Sequence, residues 1–368
     1  MTDCINDEAW ELWEFEAFGA AGTPAVGVSL YRDSRGLEQG GFHAELNAIW
    51  EDGSKWGETL HFPLSVVTAD GDAAGEGRVT GTWAWKGTGE GKEAEGSITF
   101  TIDSHLSSAE LRFNVPGKVS GEMQLQRLPG SNSPNQANLA TSEHCASLYP
   151  SVYYLFPMGP VQATASLTFP RFDRSDDEQK LSIGFDQYGP GRGGMVRGWS
   201  ALSWPLFMND AYYTVAHVGP YTLQLLRVLG SAAAKHLPYA VARLHHGDEL
   251  VCAANDAVDD SSQQGAQDHD TVRVDKIFLR DGQDQSGSIF GAFRDKNIGY
   301  VIEFKSPRRQ QRWVFEARHR LPLWSEPTSA PGPDACGKSG WVEVVSGGLE
   351  NETFQGSGVS GQLQIPVP

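Results

Sequence analysis

Residues 188–226 hold the side chains best suited to binding a small molecule. Six aromatic residues lie among glycine clusters in this stretch: Trp199, Trp204, Phe207, Tyr212, Tyr213 and Tyr221. The same stretch contains four polar groups that could contact a ligand: Arg197, Asn209, Asp210 and His217. Apolar walls with a few placed polar groups are typical of small-molecule pockets. A turn-rich sheet core uses the same residue types, so a purely structural role is an equal alternative.

A second candidate segment is WELWEFEAF, residues 10–18, whose residue types alternate. Trp13, Phe15 and Ala17 share one face of the predicted strand, and Leu12, Glu14, Glu16 and Phe18 share the other. Because both faces carry aromatic residues, we expect the strand to be covered on both sides. A carboxylate among apolar neighbours is either paired or functional, which makes Glu14 a candidate site residue. A charge at a strand edge in water is the alternative.

Standard catalytic and cofactor motifs are absent. The chain has no GxSxG, HExxH or P-loop, and its GPGRGG segment does not match the dinucleotide fingerprint. The four cysteines, Cys4, Cys145, Cys252 and Cys336, lie far apart without CxxC spacing, which disfavours zinc and disulfides. His269 lies between two aspartates, but in a polar acidic segment that is typical of an exposed loop. We therefore expect no metal and no organic cofactor.

Composition restricts the partners. The formal net charge of the 368 residues is −17, which argues against nucleic acid and anionic membranes. The N-terminal segment lacks the features of a secretory signal, and no apolar stretch approaches the ~20 residues of a membrane span. These features predict a cytoplasmic protein that binds a small molecule, and they leave open whether it is a monomer or a homodimer.

Short strand-like segments recur about every ten residues, at 26–31, 42–50, 59–67, 77–86 and 96–102. This spacing is typical of sandwiches and barrels, so we predict an all-β fold of antiparallel strands. A short helix is considered only within residues 225–235. The last segment alternates Val359, Gly361, Leu363 and Ile365 with Ser360, Gln362 and Gln364.

A polar segment rich in turn formers, PGSNSPNQANLATSEHC, interrupts the strand pattern near the middle of the chain. We place a domain boundary there. The prediction is an N-terminal β domain over residues 1–130, a linker over 131–150 and a C-terminal β-barrel domain over 151–368.

The order of several motifs resembles a known family. The segments WELWEFEAF, GMVRGWSALSW and VGPYTLQLL are followed by WVEVV and GGLENETFQGSGVSGQLQIP. Together they resemble the hydroxyneurosporene-synthase-like group, whose fungal branch contains Diels–Alderases of polyketide and polyketide–nonribosomal pathways. The resemblance covers about residues 10–366. It implies two lipocalin-like β domains, a pocket for an apolar polyene, and activity without metal or organic cofactor.

One departure separates this chain from the carotenoid-hydratase branch of that group. Where that branch has an Asp-His-Asn-Trp-Gly type motif, this chain has Val196-Arg197-Gly198-Trp199-Ser200. The acid that would protonate an alkene is missing at this place, and the tryptophan is shared. The difference argues against hydration.

The function implied by the resemblance is a stereoselective [4+2] cycloaddition. Such a reaction needs a pocket that holds a flexible polyene in a reactive conformation and a hydrogen-bond donor that polarises the dienophile. The candidate catalytic donors are Arg197, His217 and Asn209. The candidate substrate-binding residues are Trp13, Phe15, Glu14, Tyr154, Trp199, Trp204, Tyr212, Tyr213, Arg318 and Lys338.

Three alternatives stay open at the level of sequence. The cycloaddition could be intramolecular, or an intermolecular hetero-Diels–Alder reaction. A lipocalin-like carrier would bind an apolar metabolite without converting it. An isomerase or hydratase would use a buried carboxylic acid, with Glu14 or Glu16 in that role.

Overall fold

A computed structural model describes residues 8–34, 41–70, 78–85, 96–128, 147–170, 178–258, 269–279, 296–332 and 335–366 of the chain. The chain forms two compact units. The first unit comprises Met1–Asn138 and Pro157–Ala201, and the second comprises Leu139–Phe156 and Leu202–Pro368. No helix in the described ranges is long and apolar enough to cross a membrane.

The strands of the N-terminal half are β1 (Trp10–Phe18), β2 (Ala25–Asp33), β3 (Phe42–Ile49), β4 (Lys55–Phe62), β5 (Leu64–Asp70), β6 (Arg78–Trp85), β7 (Gly96–Ile102), β8 (Ser108–Val115) and β9 (Val119–Arg127). They are followed by β10 (Ser147–Tyr149), β11 (Val152–Leu155), β12 (Val161–Pro170), β13 (Glu178–Ile183), β14 (Phe185–Asp186), β15 (Gly189–Pro190) and β16 (Arg192–Ser200).

A one-turn helix, α1 (Trp204–Phe207), precedes the remaining strands. These are β17 (Met208–Val218), β18 (Tyr221–Gly230), β19 (Pro238–His246), β20 (Glu249–Ala254), β21 (Asp256–Ala257), β22 (Thr271–Phe278), β23 (Asn297–Ser306), β24 (Gln311–Pro327), β25 (Gly337–Leu349) and β26 (Phe354–Gln364). The predicted all-β fold is confirmed.

The first unit is built on a curled antiparallel sheet with the strand order β4-β3-β2-β1-β16-β12-β9-β8-β7-β6-β5. Its two end strands, β4 and β5, are consecutive in the chain and are separated only by Pro63. Strand β6 also contacts β3 and β4, so the sheet comes close to closing as a barrel. The core inside it includes Trp13, Phe15 and Phe100.

The second unit is a ten-stranded sheet with the order β20-β19-β18-β17-β26-β25-β24-β23-β22-β21. Strand β21 contacts β19, and β20 contacts both β22 and β23, so this sheet also curls towards closure. Its apolar core includes Leu223, Leu225, Ile302, Phe304 and Phe315.

The interior of the second unit also contains a buried polar cluster. The side chains of Glu343 and His319 are completely buried, and Glu343 Oε1 lies 3.0 Å from His319 Nδ1. The Tyr212 hydroxyl donates to Glu343 Oε2 at 2.9 Å, and burial, followed by the charge of Glu343, raises the pKa of Tyr212 well above its usual value. The indole of Trp341 stacks on the His319 ring with centroids 3.9 Å apart. A buried polar cluster of this kind needs each of its partners, because a buried polar group left unpaired is costly.

The predicted domain limits need correction. Residues 157–201 belong to the first unit, not to a C-terminal domain over 151–368, because β12 pairs with β9 and β16 pairs with β1. Most of the predicted linker, residues 131–146, lies outside the described residues, as do Cys4 and Cys145, whereas Cys252 and Cys336 are buried free thiols.

Two local predictions were also wrong. The segment 59–67 is not one strand, because it spans the end of β4 and the start of β5. Pro63 between them has no amide hydrogen for the sheet ladder. The segment considered for a short helix, 225–235, instead continues β18 to Gly230 and then turns, and the one-turn helix α1 lies earlier in the chain.

Candidate active site

Arg197 lies between two tryptophans on the first unit. Antiparallel pairing of β1 and β16 sets Trp13 opposite Arg197 and Glu11 opposite Trp199. The guanidinium carbon of Arg197 is 4.7 Å from the ring centroid of Trp13 and 4.7 Å from that of Trp199. We call Trp13, Arg197 and Trp199 the Trp–Arg–Trp stack. Cation–π contacts of this kind contribute about 0.5–2 kcal/mol each, more when desolvated.

Glu11 balances the charge of this stack. Its Oε1 is 3.7 Å from Arg197 NH2, while its Oε2 accepts a hydrogen bond from Arg32 NH1 at 2.9 Å. Burial lowers the pKa of the Arg197 guanidinium, and the charge of Glu11 opposes that shift. The Arg197 side chain is 35% exposed, so a ligand can reach part of it. The stack therefore offers a positioned donor between two aromatic faces.

The opposite face of β1 carries a carboxyl group with an altered pKa. Glu14, Ser29 and Glu45 form one row across β1, β2 and β3. Burial raises the pKa of the Glu14 carboxyl from 4.5 to about 7; the Ser29 hydroxyl, which donates to Glu14 Oε1 at 3.4 Å, opposes this rise, and the charge of Glu45 adds to it. Because this pKa is close to neutrality, the carboxyl is accessible in both its protonated and its ionised form and can donate as well as accept.

A series of aromatic and imidazole rings crosses β2, β3 and β4 beside Glu45. The ring of Tyr31 stacks on that of His43 with centroids 4.6 Å apart, and His61 follows at 5.9 Å from His43. His43 Nε2 lies 4.0 Å from Glu45 Oε1, and His43 Nδ1 lies 3.4 Å from Asp33 Oδ1. Sequence reasoning missed these groups, although the alternation of β3 could have placed His43 and Glu45 on one face.

The second unit presents an aromatic shelf built over glycines. One register row runs from Tyr213 through Gly361 and Gly340 to Trp324. A Cβ atom on Gly340 would lie 2.4 Å from Trp324 Nε1, so the indole lies directly on this glycine. Lys338 Nζ is 5.8 Å from the Trp324 ring centroid and 3.1 Å from Glu326 Oε2. We call Tyr213, Gly361, Gly340, Trp324 and Lys338 the Trp324 shelf.

Two further aromatic rings extend this shelf. The rings of Tyr154 and Phe156 each lie 6.4 Å from that of Tyr213, the first edge-on and the second stacked. Both side chains are buried at 2% exposure. The shelf thus combines apolar ring faces with one ammonium group, a combination that suits an apolar ligand with a single carbonyl or enolate oxygen.

The structure brings some of the predicted residues together. Trp13, Arg197 and Trp199 meet in the stack, and Lys338, Tyr213 and Tyr154 meet at or beside the shelf. Trp324, which completes the shelf, was missed because its glycine partners are distant in sequence. A signal was present in the isolated glycines of the last two strands, which mark close approach.

Other predicted residues lie elsewhere in the second unit. Tyr212 points into the barrel core, on the opposite face of β17 from Tyr213. His217 Nδ1 contacts the Thr222 hydroxyl at 3.0 Å near the β17–β18 turn. Arg318 pairs with Glu316 at 2.5 Å and lies opposite Val344, six residues along β25 from Lys338. At about 3.3 Å per residue, that spacing is about 20 Å.

The remaining three predicted residues have mainly structural surroundings. Phe15 is fully buried against Phe100, with ring centroids 5.4 Å apart. Trp204 lies at the start of α1, 5.4 Å from the Phe207 ring. Asn209 is buried where the register of β17 shifts, and its carbonyl accepts from the Ile365 amide at 2.9 Å. Their contact with substrate stays a prediction.

Stability should report the ionisation of Glu14. A carboxyl whose pKa rises on folding stabilises the folded state while it is protonated, so its contribution is complete below about pH 4.5 and is lost as pH rises to about 7. We expect Glu14→Gln to remove this loss. Melting temperatures of both proteins between pH 4.5 and 8 measure it. Exposed Glu51→Gln is the control, and parallel curves for Glu14→Gln and the wild type would contradict the assignment.

Adding one methyl group to the shelf should move Trp324. We expect Gly340→Ala to displace the indole, because the new Cβ would lie 2.4 Å from its Nε1. A displacement of about 1 Å at a reacting centre can reduce the rate by about 10²-fold. Gly27→Ala is the control, since a Cβ there meets nothing within 4 Å. Equal turnover rates for the two variants would show that the position of Trp324 does not matter for turnover.

Comparison with known proteins identifies the family of this chain. The model of the Diels-Alderase-like family matches residues 1–366. The chain belongs to the Diels-Alderase-like family. It is 56% identical to Diels-Alderase gNR600 from Fungal sp. (strain NRRL 50135), over 100% of this chain and 91% of that protein. It is 50% identical to Diels-Alderase phm7 from Pyrenochaetopsis sp., over 99% of this chain and 89% of that protein.

Solved structures share the fold. The crystal structure of CghA with Sch210972 superposes with a TM-score of 0.85 at 30% identity, covering 98% of this chain and 90% of that one. The crystal structure of kievitone hydratase from Nectria haematococca matches at 10% identity with a TM-score of 0.51, over 99% of this chain and 92% of that one. Because the fold also occurs in a protein named a hydratase, the fold alone does not determine the reaction of this Diels-Alderase-like protein.

Proposed function

We propose that this protein is a Diels–Alderase of fungal secondary metabolism. It catalyses the stereoselective [4+2] cycloaddition of an apolar polyene derived from a polyketide. The observation that carries the proposal is the 56% identity to Diels-Alderase gNR600 over the whole chain. The Trp–Arg–Trp stack and the Trp324 shelf supply the kinds of side chain that such a reaction uses.

The reaction is balanced without an outside reagent. Two carbon–carbon σ bonds form, three π bonds become one, and no proton or electron enters or leaves. The protein therefore needs only to fold the polyene into a reactive conformer and to polarise the dienophile. Correct positioning can supply about 7–11 kcal/mol when the reacting atoms are held about 3–3.5 Å apart.

The side chains of the two sites suit different parts of this task. Indole and phenol rings of the stack and the shelf are apolar faces against which a polyene can lie. Arg197 and Lys338 are cations next to those faces, at 4.7 and 5.8 Å from the nearest ring centroids. A hydrogen bond from either cation to a carbonyl conjugated with the dienophile would withdraw electron density and lower the barrier. We assign Arg197 and Lys338 as alternative donors to the substrate, one in each unit.

Glu14 favours a second candidate function. Its pKa of about 7 is the value expected of a general acid working at neutral pH. An isomerase or hydratase would use this carboxyl to protonate a carbon atom of the substrate. Such a step would leave a solvent-derived hydrogen in the product, whereas a cycloaddition would not.

One experiment separates these functions. The purified protein is incubated with a linear polyene substrate in D2O, and the product is analysed by mass spectrometry and chiral chromatography, with heat-denatured protein as the control. A single cyclic stereoisomer of unchanged mass, formed faster than in the control, is expected. Deuterium on carbon would indicate the isomerase or hydratase. Binding without acceleration would indicate a carrier and would contradict the proposal.

A further inference from the structure

The polar residues of the last strand face the interior of the second unit. Ser360, Gln362 and Gln364 are exposed by only 5%, 1% and 0%. Gln362 lies opposite Tyr212 on β17 and opposite Ser339 on β25. Because opposed residues in antiparallel strands share a face, Gln362 lies on the same side as Tyr212, which belongs to the barrel core. One part of the barrel interior is therefore lined with amide and hydroxyl groups.

Gln362 is the unusual member of this set. Within the described part of the chain, neither its Nε2 nor its Oε1 has a hydrogen-bond partner, and the same is true of Ser360 Oγ. Gln364, the next residue of β26 that faces the interior, does have a partner: its Nε2 donates to Asp210 Oδ2 at 3.3 Å. Buried side-chain polar atoms are hydrogen-bonded to protein or ordered water in the large majority of cases. Gln362 and Ser360 thus present donor and acceptor capacity that the described protein groups leave unused.

Polar groups continue on both sides of Gln362. Towards solvent, the buried Ser339 hydroxyl donates to the hydroxyl of Ser325, which is exposed, at 2.9 Å. Towards the interior, the Tyr212 hydroxyl donates to Glu343, which pairs with His319. A buried water molecule typically makes about three hydrogen bonds to groups of this kind. We call Ser325, Ser339, Gln362, Ser360 and Tyr212 the polar row.

We propose that the polar row is an internal water-binding site of the second unit. Its bound water molecules bridge the Gln362 amide and the Ser360 hydroxyl, and the row connects the exposed Ser325 with the Glu343–His319 pair. A neutral ligand fits better than an ion, because the charge of the nearby Asp210 already meets Lys276 at 2.6 Å and Arg227 at 3.9 Å. The proposal does not depend on the proposed cycloaddition.

The substitution Gln362→Leu tests the proposal through the sign of a stability change. If water satisfies the amide, leucine removes those hydrogen bonds and leaves the bridging water and Ser360 unpaired, so the melting temperature should fall by at least about 2 °C. If no water molecule binds the amide, leucine replaces a buried unsatisfied group by an apolar side chain of similar volume, so the melting temperature should rise. Gln355→Leu, at an exposed position on the same strand, is the control.

A direct count of water complements the sign test. Oxygen-17 magnetic relaxation dispersion measures the number of water molecules that stay inside a protein for longer than its tumbling time. We expect that number to fall in Gln362→Leu and in the smaller change Ser360→Ala, and to stay constant in Gln355→Leu. An unchanged number in both interior variants, or a higher melting temperature for Gln362→Leu, overturns the proposal.

Discussion

Replacing Glu343 by alanine should lower the free energy of unfolding by about 2–6 kcal/mol, because two buried groups each lose their acceptor. The carboxylate pairs with His319 at 3.0 Å and accepts from the Tyr212 hydroxyl at 2.9 Å, and all of these groups are buried. Removing it leaves a buried imidazole and a buried phenol without their acceptor. A buried polar group left unpaired costs about 1–3 kcal/mol by itself.

Urea titration followed by circular dichroism measures this change. Glu343→Gln keeps an acceptor but removes the charge, so its loss should be smaller than that of Glu343→Ala. Glu316→Ala is the matched control, because Glu316 pairs with Arg318 on the same sheet but is 46% exposed. Exposed pairs contribute about 0–1 kcal/mol. Similar losses for Glu343→Ala and Glu316→Ala would contradict the importance of the buried cluster.

Replacing Trp199 by alanine should affect the reaction more than the fold. The indole of Trp199 forms one face of the Trp–Arg–Trp stack and is only half-buried. Its loss frees Arg197 on one side, so we expect a rate lower by up to about 10²-fold, a changed ratio of stereoisomers, or both. The stability change should be below the about 3–5 kcal/mol that truncation of a buried indole costs.

Trp83→Ala provides the comparison for this prediction. Trp83 is a completely buried core indole of the same unit, and its Nε1 donates to the Tyr31 carbonyl at 3.0 Å. We expect that variant to lose stability first and activity as a consequence. Melting temperature and product ratio are measured on both variants. A collapse of stability in Trp199→Ala, or a stable variant with unchanged rate and products, would remove Trp199 from the site.

Sequence periodicity predicted the two faces of β1 well. The alternation of WELWEFEAF separates Trp13 and Phe15, which face the core, from Glu14, which faces the other way. Both neighbouring strands were needed to find the partners of these residues. The strand register sets Arg197 opposite Trp13 and Ser29 opposite Glu14. The register between strands that are distant in the chain cannot be predicted from the local sequence.

The last strand shows the limit of such reasoning. Its alternation was visible, but a period of two does not state which set of residues faces inward. In β26 the polar set, including Gln362 and Gln364, is inside, while Leu363 is half-exposed. The Trp324 shelf could not be predicted from local sequence either, because Gly340 and Gly361 make room for an indole that belongs to a third strand. Only long-range pairing brings these residues into one row.

The division of the chain between the units has a consequence for synthesis on the ribosome. Strand β1, which begins at Trp10, pairs with β16, which ends at Ser200. At about 5–20 residues per second, the first strand waits roughly 10–40 s for this partner to be made. A fragment of residues 1–130 would contain β1 and β9 without the strands that lie between them in the sheet, β16 and β12. Such a fragment would expose two unpaired strand edges and aggregate, so the first unit can complete its sheet only after residue 201 has been added to the chain.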